Sequence, residues 1–183
     1  MSSREAPAVA GPLISYAQNH EDVQLWRVFR HLETGYYVDI GANSPSHHSV
    51  TKLFYDRGWR GINIEPITSW FDELRAERAR DVNLKLCISD AAGQVEMVEV
   101  VGTGLSTLDS AAAETYRRDW ETRTVVRPAR TLASVLAEHR LPEIHFLKID
   151  VEGAEREVLA GADFDAHRPW IVLVESVKPG TQE

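Results

Sequence analysis

Apolar runs of strand length alternate along the chain with longer segments whose apolar residues recur at helical spacing. The apolar runs predict strands at 36–40, 61–66, 82–88, 94–100, 122–128, 144–150 and 170–176. The intervening segments predict helices over 19–32, 46–58, 69–81, 110–120, 131–139 and 152–161. Strands that alternate with helices form βαβ units, so we expect an α/β fold with a mostly parallel sheet and helices on both faces.

Polar residues and glycines follow the ends of these strands, which is where ligands bind in parallel α/β sheets. The residues at such positions are Asp39, Gly41, Asn43, Glu65, Ser89, Asp90, Asp150, Glu152 and Glu175. Each of them has an ordinary structural explanation as a helix cap or a turn residue. Their recurrence at successive strand ends favours a shared ligand site.

The turn after the first strand indicates which ligand this is. Glu65 follows Gly41 by 24 residues, close to the spacing of about 20 at which an acid accepts both ribose hydroxyls of a nucleoside. A pyrophosphate needs several glycines at the start of a helix, and only Gly41 is available here. Asp39 would oppose a phosphate but favour the amine of S-adenosylmethionine. We therefore expect S-adenosylmethionine as the cofactor, with Asp90 accepting the adenine amine and Ser89 assisting.

The composition excludes several classes of protein. A net charge of −8 argues against a broad basic face for nucleic acid. No segment is apolar and long enough for a signal peptide or a membrane span, so no membrane association is expected. Cys87 is the only cysteine, which rules out an internal disulfide and favours the reducing cytoplasm. The small and polar residues 1–12 predict a flexible tail, followed by a single domain over 13–183.

Several motifs together resemble the FkbM-type S-adenosylmethionine-dependent methyltransferases. The resemblance extends over residues 14–176, nearly the whole chain. It is carried by SYAQNHEDVQLW (15–26), YVDIGANSPSHHSVTKLFYDRGWRGINIEP (37–66), GLSTL (104–108), RTLASVL (130–136) and LKIDVEGAEREVLAG (147–161). The combination of GWRGINIEP with LKIDVEGAE is specific, whereas VDIGAN alone indicates only the wider methyltransferase class.

This resemblance implies a Rossmann-like class I methyltransferase sheet and O-methylation of a hydroxyl on a sugar, glycan or polyketide-type natural product. It implies that the methionine part of the cofactor is held by Asp39, Gly41 and Asn43. It assigns the ribose to Glu65 and the adenine to Ser89 and Asp90. Asp150 and Glu152 lie in the family's second signature, beside the methyl donor.

The identity of the general base stays open at this point. An alcohol is a weak nucleophile, so a base is expected to take its proton as the new bond forms. Asp150 and Glu152, at the end of the 144–150 strand, are candidates, as are His47 and His48 in the first loop.

A metal site is a further alternative. Asp150 and Glu175 end two strands that are expected to be adjacent, and two carboxylates could bind Mg²⁺ together with waters. Because no local cluster of three oxygen ligands is visible in the sequence, we favour a pairing of Glu175 with a basic residue over a metal.

Two other functions compete with methyl transfer. An NAD-linked oxidoreductase would use the same Glu65, but the glycines of a dinucleotide turn and a hydride-transfer pair such as Tyr-x-x-x-Lys are missing. A catalytically silent domain that binds the cofactor or a partner protein is the other alternative.

The family's sheet ends in an antiparallel hairpin, for which only a few residues remain after the predicted strand at 170–176. The strands at 94–100 and 122–128 come too early and are expected to form a local extension. We therefore expect a C-terminally incomplete domain, with a second copy or a partner domain covering the edge of the 170–176 strand.

Overall fold

The computed structural model describes residues 12–175, which form two β-sheets and six helices. The strands are β1 Tyr36–Ile40, β2 Arg60–Ile64, β3 Val82–Leu84, β4 Cys87–Ile88, β5 Gly93–Val100, β6 Thr122–Arg130, β7 Phe146–Ile149 and β8 Ile171–Val174. The helices are α1 Glu21–Phe29, α2 Lys52–Asp56, α3 Thr68–Glu77, α4 Ser110–Asp119, α5 Leu132–His139 and α6 Glu155–Ala160.

The first sheet has five strands in the order β3-β2-β1-β7-β8, and every neighbouring pair is parallel. This arrangement confirms the predicted α/β, Rossmann-like fold. Parallel strands carry all their carboxyl ends to one edge of the sheet, so the loops after β1, β2 and β7 lie close together.

Both faces of the first sheet are covered, which explains why its central strands are apolar runs without alternation. One face packs against α5 and α6 through a core that includes Ile40, Ile64 and Val158. The other face packs against α1 and α2 through an aromatic core that includes Phe54 and Phe146. Asp39 and Lys148 are charged residues within these otherwise apolar strands, and both are buried.

The predicted strand at 82–88 is wrong as a single element, because the chain changes sheet within it. Residues 82–84 pair with β2, whereas Cys87 and Ile88 pair with β6 in the second sheet. The exposed Lys85 lies between the two parts. The second sheet has the order β4-β6-β5, and its antiparallel β5–β6 pair confirms the expected local extension.

Two helices beside the cavity begin several residues later than their sequence patterns predict. The helix expected over 46–58 begins only at Lys52, and His48 adopts a left-handed φ of 55° before it. The helix expected over 152–161 begins at Glu155, because Glu152 and Gly153 have φ values of 55° and 104°. Both left-handed segments face the carboxyl edge of the first sheet, so the lost helical turns become loops beside the ligand site.

Within residues 12–175, no strand pairs with the outer edge of β8, which contacts β7 on its other side. The end of the predicted 170–176 strand and nearly all of the predicted tail at 1–12 lie outside the described residues. In the part of the chain that the structure describes, no helix is both long and apolar enough to cross a bilayer.

Candidate cofactor and catalytic site

A cavity of about 660 Å³ lies at the carboxyl ends of β1, β2 and β7. Its walls come from the loops after these strands, from the second sheet and from residues 102–108. Of the residues that the sequence predicts for the site, those lining the cavity are Gly41, Asn43, His47, His48, Glu65, Asp150, Glu152 and Glu175. Asp39, Ser89 and Asp90 do not line it.

The turn after β1 brings bare backbone into the site. Gly41 has a φ of 75°, and a Cβ atom at this residue would lie 1.8 Å from the carbonyl oxygen of Asp150. Only glycine therefore fits between β1 and the loop after β7. The N–H groups of Gly41 and Ala42 both donate to the carbonyl of Ile64, at 3.0 and 3.2 Å, which joins this turn to the end of β2.

Asp39 lies behind the wall of the cavity. Its Oδ2 accepts a hydrogen bond of 3.0 Å from the Thr51 hydroxyl, and its Oδ1 lies 3.3 Å from Nζ of Lys148. Both oxygens face these neighbours, and the residue is 1% exposed. The structure therefore places Asp39 under the glycine turn rather than among the lining residues, and its expected contact with the methionine part stays a prediction.

Glu65 joins the ends of the first two strands. Its Oε2 accepts from the N–H of Asn43 at 2.8 Å, and its Oε1 accepts from the N–H of Ile67 at 2.7 Å. Burial raises the pKa of Glu65 to about 7, although the two backbone donors act in the opposite direction. Each oxygen keeps a lone pair for a further donor, as a ribose diol would supply.

The wall next to Glu65 is apolar. It includes the side chains of Ile67, Trp70, Cys87 and Met97, a surface suited to a flat base. Ser89 and Asp90 lie beyond it, where the Ser89 hydroxyl donates to Asp90 Oδ1 at 3.2 Å and Asp90 is exposed. The change of sheet after Leu84 carries these two residues past the cavity, so their assignment to adenine stays a prediction.

Three carboxylates converge at the other end of the cavity. Asp150, Glu152 and Glu175 each offer an oxygen within 4.8 Å of the other two, and such a set suits a divalent cation. The structure therefore adds Glu152 to the two carboxylates that the sequence suggested as metal ligands. The pairing of β7 with β8 confirms that the strands before Asp150 and Glu175 are adjacent, as the sequence predicts.

Glu175 contacts another acid rather than the expected basic residue. Burial and a hydrogen bond with Asp150 raise the pKa of Glu175 to about 8. Burial acts to raise the pKa of Asp150, but Lys148 and this hydrogen bond outweigh it, and the pKa of Asp150 is lowered. At neutral pH the proton therefore resides on Glu175, and Asp150 is ionised.

Glu152 is held by two residues that the sequence reading missed. The hydroxyl of Thr107 donates to the backbone carbonyl of Glu152, and the hydroxyl of Tyr116 donates to its Oε2 at 3.4 Å. Burial, followed by the charges of Asp150 and Glu155, raises the pKa of Glu152 to about 7. A carboxyl group with this pKa can exchange a proton at neutral pH.

Residues 39–183 match the family model of the methyltransferase FkbM domain. The chain belongs to this family. The match begins at Asp39 and takes in the glycine turn, Glu65 and the carboxylates of the β7 loop, so the cavity described above is the candidate site of a methyltransferase. Comparison of the chain with curated proteins and with solved structures found no match.

The two histidines of this methyltransferase lie side by side at the cavity. The ring centroids of His47 and His48 are 3.9 Å apart, and both residues are exposed. The buried Arg78 anchors their loop, because its guanidinium donates to the carbonyl of Pro45 at 3.1 Å and to Thr51 Oγ1 at 2.8 Å. The structure thus brings both imidazoles to the site, and a role for either as a base stays a prediction.

Lys148 also lines the cavity of this methyltransferase, although the sequence analysis did not predict it as a site residue. It is 7% exposed, and its ammonium contacts both Asp39 and Asp150. Burial lowers the pKa of Lys148, but these two carboxylates outweigh burial and raise it, so the residue is charged. A lysine in the middle of the apolar run IHFLKID was the available signal, since a buried lysine requires a partner.

Proposed function

We propose that this methyltransferase transfers the methyl group of S-adenosylmethionine to a hydroxyl of a sugar, glycan or polyketide-type natural product. One observation carries the proposal: a single cavity joins a buried acid at the end of β2 to a cluster of carboxylates at the end of β7. The acid at the end of β2 suits the ribose of the cofactor, and the carboxylates at the end of β7 suit the reacting groups.

The charge of the cavity supports this cofactor. Among the charged side chains that line the cavity, carboxyl groups outnumber lysine, and Lys148 is already paired with Asp39 and Asp150. S-adenosylmethionine brings a sulfonium and an ammonium, which a negative cavity attracts, whereas the pyrophosphate of NAD would be repelled. Glu65 offers lone pairs to the ribose diol, and Ile67 and Trp70 offer an apolar wall to the adenine.

The reaction is an in-line displacement. The acceptor oxygen forms a bond to the methyl carbon while the carbon–sulfur bond breaks, and the electron pair of that bond remains on sulfur as S-adenosylhomocysteine. Holding the acceptor in line with the sulfur supplies much of the acceleration. We propose Asp150 as the base that receives the acceptor proton, because its lowered pKa keeps it ionised at neutral pH. Glu152, His47 and His48 are the alternative bases.

A divalent cation is not part of this proposal. When bound at Asp150, Glu152 and Glu175, it would act as a Lewis acid on the acceptor oxygen. Asp150 is already an ionised acceptor for the proton, so we expect transfer to continue in EDTA. Loss of activity in EDTA, restored by Mg²⁺, would instead assign the three carboxylates to a metal.

Location and acceptor class complete the proposal. A single cysteine, buried beside Met97, is typical of a protein from a reducing compartment, and we propose the cytoplasm. The acceptor is proposed to be a small molecule or a glycan, because the cavity is a concave site and the chain carries a net charge of −8.

Two measurements test the proposal. Titration calorimetry with S-adenosylmethionine and with NAD is expected to show binding of the first alone, and a preference for NAD would support an oxidoreductase. Transfer of radiolabelled methyl groups to a panel of sugars and glycans is then expected to label at least one hydroxyl compound. Binding of the cofactor without labelling of any acceptor would favour the catalytically silent alternative.

A further inference from the structure

Lys148 joins the two halves of the site through one ammonium group. Its Nζ donates to the carbonyl oxygen of Gly41 at 2.6 Å. The same atom lies 3.3 Å from Oδ1 of Asp39 and 3.2 Å from Oδ2 of Asp150. The ammonium therefore makes one hydrogen bond, to the Gly41 carbonyl, and an ion pair with each of the two carboxylates.

The three partners come from different parts of the site. Asp39 lies one residue before the end of β1, and Gly41 forms the sharp turn that follows the strand. Asp150 begins the loop after β7, and its backbone carbonyl is the atom against which Gly41 packs. The ammonium therefore clamps the turn after β1 to the loop after β7 at the point where their backbones come closest.

A purely structural ion pair would not need this geometry. Asp39 alone would neutralise a buried ammonium, and Thr51 already satisfies the other oxygen of Asp39. The shortest of the three contacts is the one to the neutral carbonyl of Gly41. A donor committed to that carbonyl determines how the peptide between Gly41 and Ala42 is oriented beside the cavity.

We propose that Lys148 is a positioning residue for the amino-acid part of S-adenosylmethionine, acting through the Gly41 turn that it joins to the loop after β7. This inference rests on the proposed function. Lys148 itself forms no bond with the reacting atoms. It sets the conformation of the Gly41 turn, where the amino-acid chain of the cofactor is expected.

The test compares two ligands that differ only in the group beyond sulfur. S-adenosylhomocysteine and 5′-methylthioadenosine are both uncharged at sulfur, and only the first carries the amino-acid chain. In Lys148→Met, we expect the affinity for S-adenosylhomocysteine to fall at least tenfold, while that for 5′-methylthioadenosine changes less than twofold. Equal losses for both ligands, or no loss for either, would overturn the inference.

Two further variants keep the test valid. Lys148→Met leaves the buried Asp39 without its partner, so the double variant Asp39→Asn/Lys148→Met removes both charges while the new amide keeps an acceptor for Thr51. Lys85→Met, at an exposed lysine of the 85–86 connection, is the control and should bind both ligands as the wild type does. If circular dichroism shows that neither Lys148 variant folds, the residue is required for folding and the inference is overturned.

The wild-type chain separates this inference from the proposed function. Failure of the wild type to bind S-adenosylmethionine would refute the proposed function and this inference together. If the wild type binds S-adenosylmethionine but Lys148→Met weakens both test ligands equally, only the role of Lys148 is refuted and the proposed function stands.

Discussion

Glu65 is the residue on which cofactor binding is expected to depend most. It is 4% exposed, and its two oxygens hold the N–H groups of Asn43 and Ile67. Glu65→Ala is expected to weaken S-adenosylmethionine binding by roughly 1–3 kcal/mol, because the hydrogen bonds that the carboxyl group offers to the ribose hydroxyls are lost. Titration calorimetry measures this change, with Glu96→Ala on the exposed face of β5 as the control. Unchanged affinity would show that Glu65 does not bind the ribose.

The raised pKa of Glu65 also predicts how the stability of the fold depends on pH. The folded chain keeps a proton on this carboxyl up to about pH 7, whereas the unfolded chain releases it near the ordinary value of 4.5. The stabilisation is complete below 4.5 and is lost as the pH rises to 7. Relative to Glu65→Gln, the unliganded wild type should lose roughly 3 kcal/mol of unfolding free energy across that window. Urea unfolding at several pH values measures both free energies. The same pH dependence in the wild type and in Glu65→Gln would show that burial does not raise the pKa of Glu65.

Asp150 is the residue on which turnover is expected to depend. Asp150→Asn keeps the shape of the side chain and removes the charge that would accept the proton. We expect a folded variant that binds S-adenosylmethionine but transfers methyl groups slower by on the order of 10²–10⁴-fold. The rate on a confirmed acceptor is the measurement, and Asp165→Asn at an exposed site is the control. Turnover at the wild-type rate would move the role of base to Glu152 or to the histidines.

At the scale of the element, residues 101–109 form a strap over the cavity. The indole of Trp70 donates to the carbonyl of Thr103 at 3.2 Å, which ties the strap to α3. Thr107 ties it to the loop after β7 through Glu152, and its backbone pairs with Val98 of β5. The strap therefore contacts α3, the loop after β7, and β5 of the second sheet.

Gly104 is the residue at which the strap meets the glycine turn. A Cβ atom at this residue would lie 2.5 Å from Nδ2 of Asn43, so Gly104→Ala should push the strap and Asn43 apart. We expect S-adenosylmethionine binding to weaken several-fold, with a change in unfolding free energy below about 1 kcal/mol. Gly93→Ala is the matched control, because open space surrounds that position. Equal affinities of the two variants for the cofactor would show that the strap does not close on the site.

At the scale of the whole molecule, the edge of β8 is expected to bind a second copy of the chain. Among the described residues this edge has no partner strand, and Val172 on β8 is 41% exposed. Unpaired strand edges favour pairing with other chains, and lysine opposes it. Light scattering should show association of the wild type that is lost in Val172→Lys and retained in Val126→Lys, whose valine is 54% exposed on β6. A wild type that stays monomeric at all concentrations would refute this.

The sequence by itself determined the architecture and the place of the site. Apolar runs such as YYVDI and IHFLKID can be buried on both faces only in a covered parallel sheet, and parallel strands bring their ends to one edge. For that reason Gly41, Glu65 and Asp150 were predictable as neighbours although they lie far apart along the chain. These inferences depend on periodicity and spacing, which are local properties.

Only the tertiary structure decided which of these groups contact one another. It separated Ser89 and Asp90 from the cavity by moving Cys87 and Ile88 into a second sheet, because β6 offers them hydrogen bonds that the first sheet does not. It also set Glu175 against Asp150 and placed the ammonium of Lys148 between Gly41, Asp39 and Asp150. Such contacts depend on strand order, side-chain direction and the closeness of two backbones, and no local pattern of residues encodes these quantities.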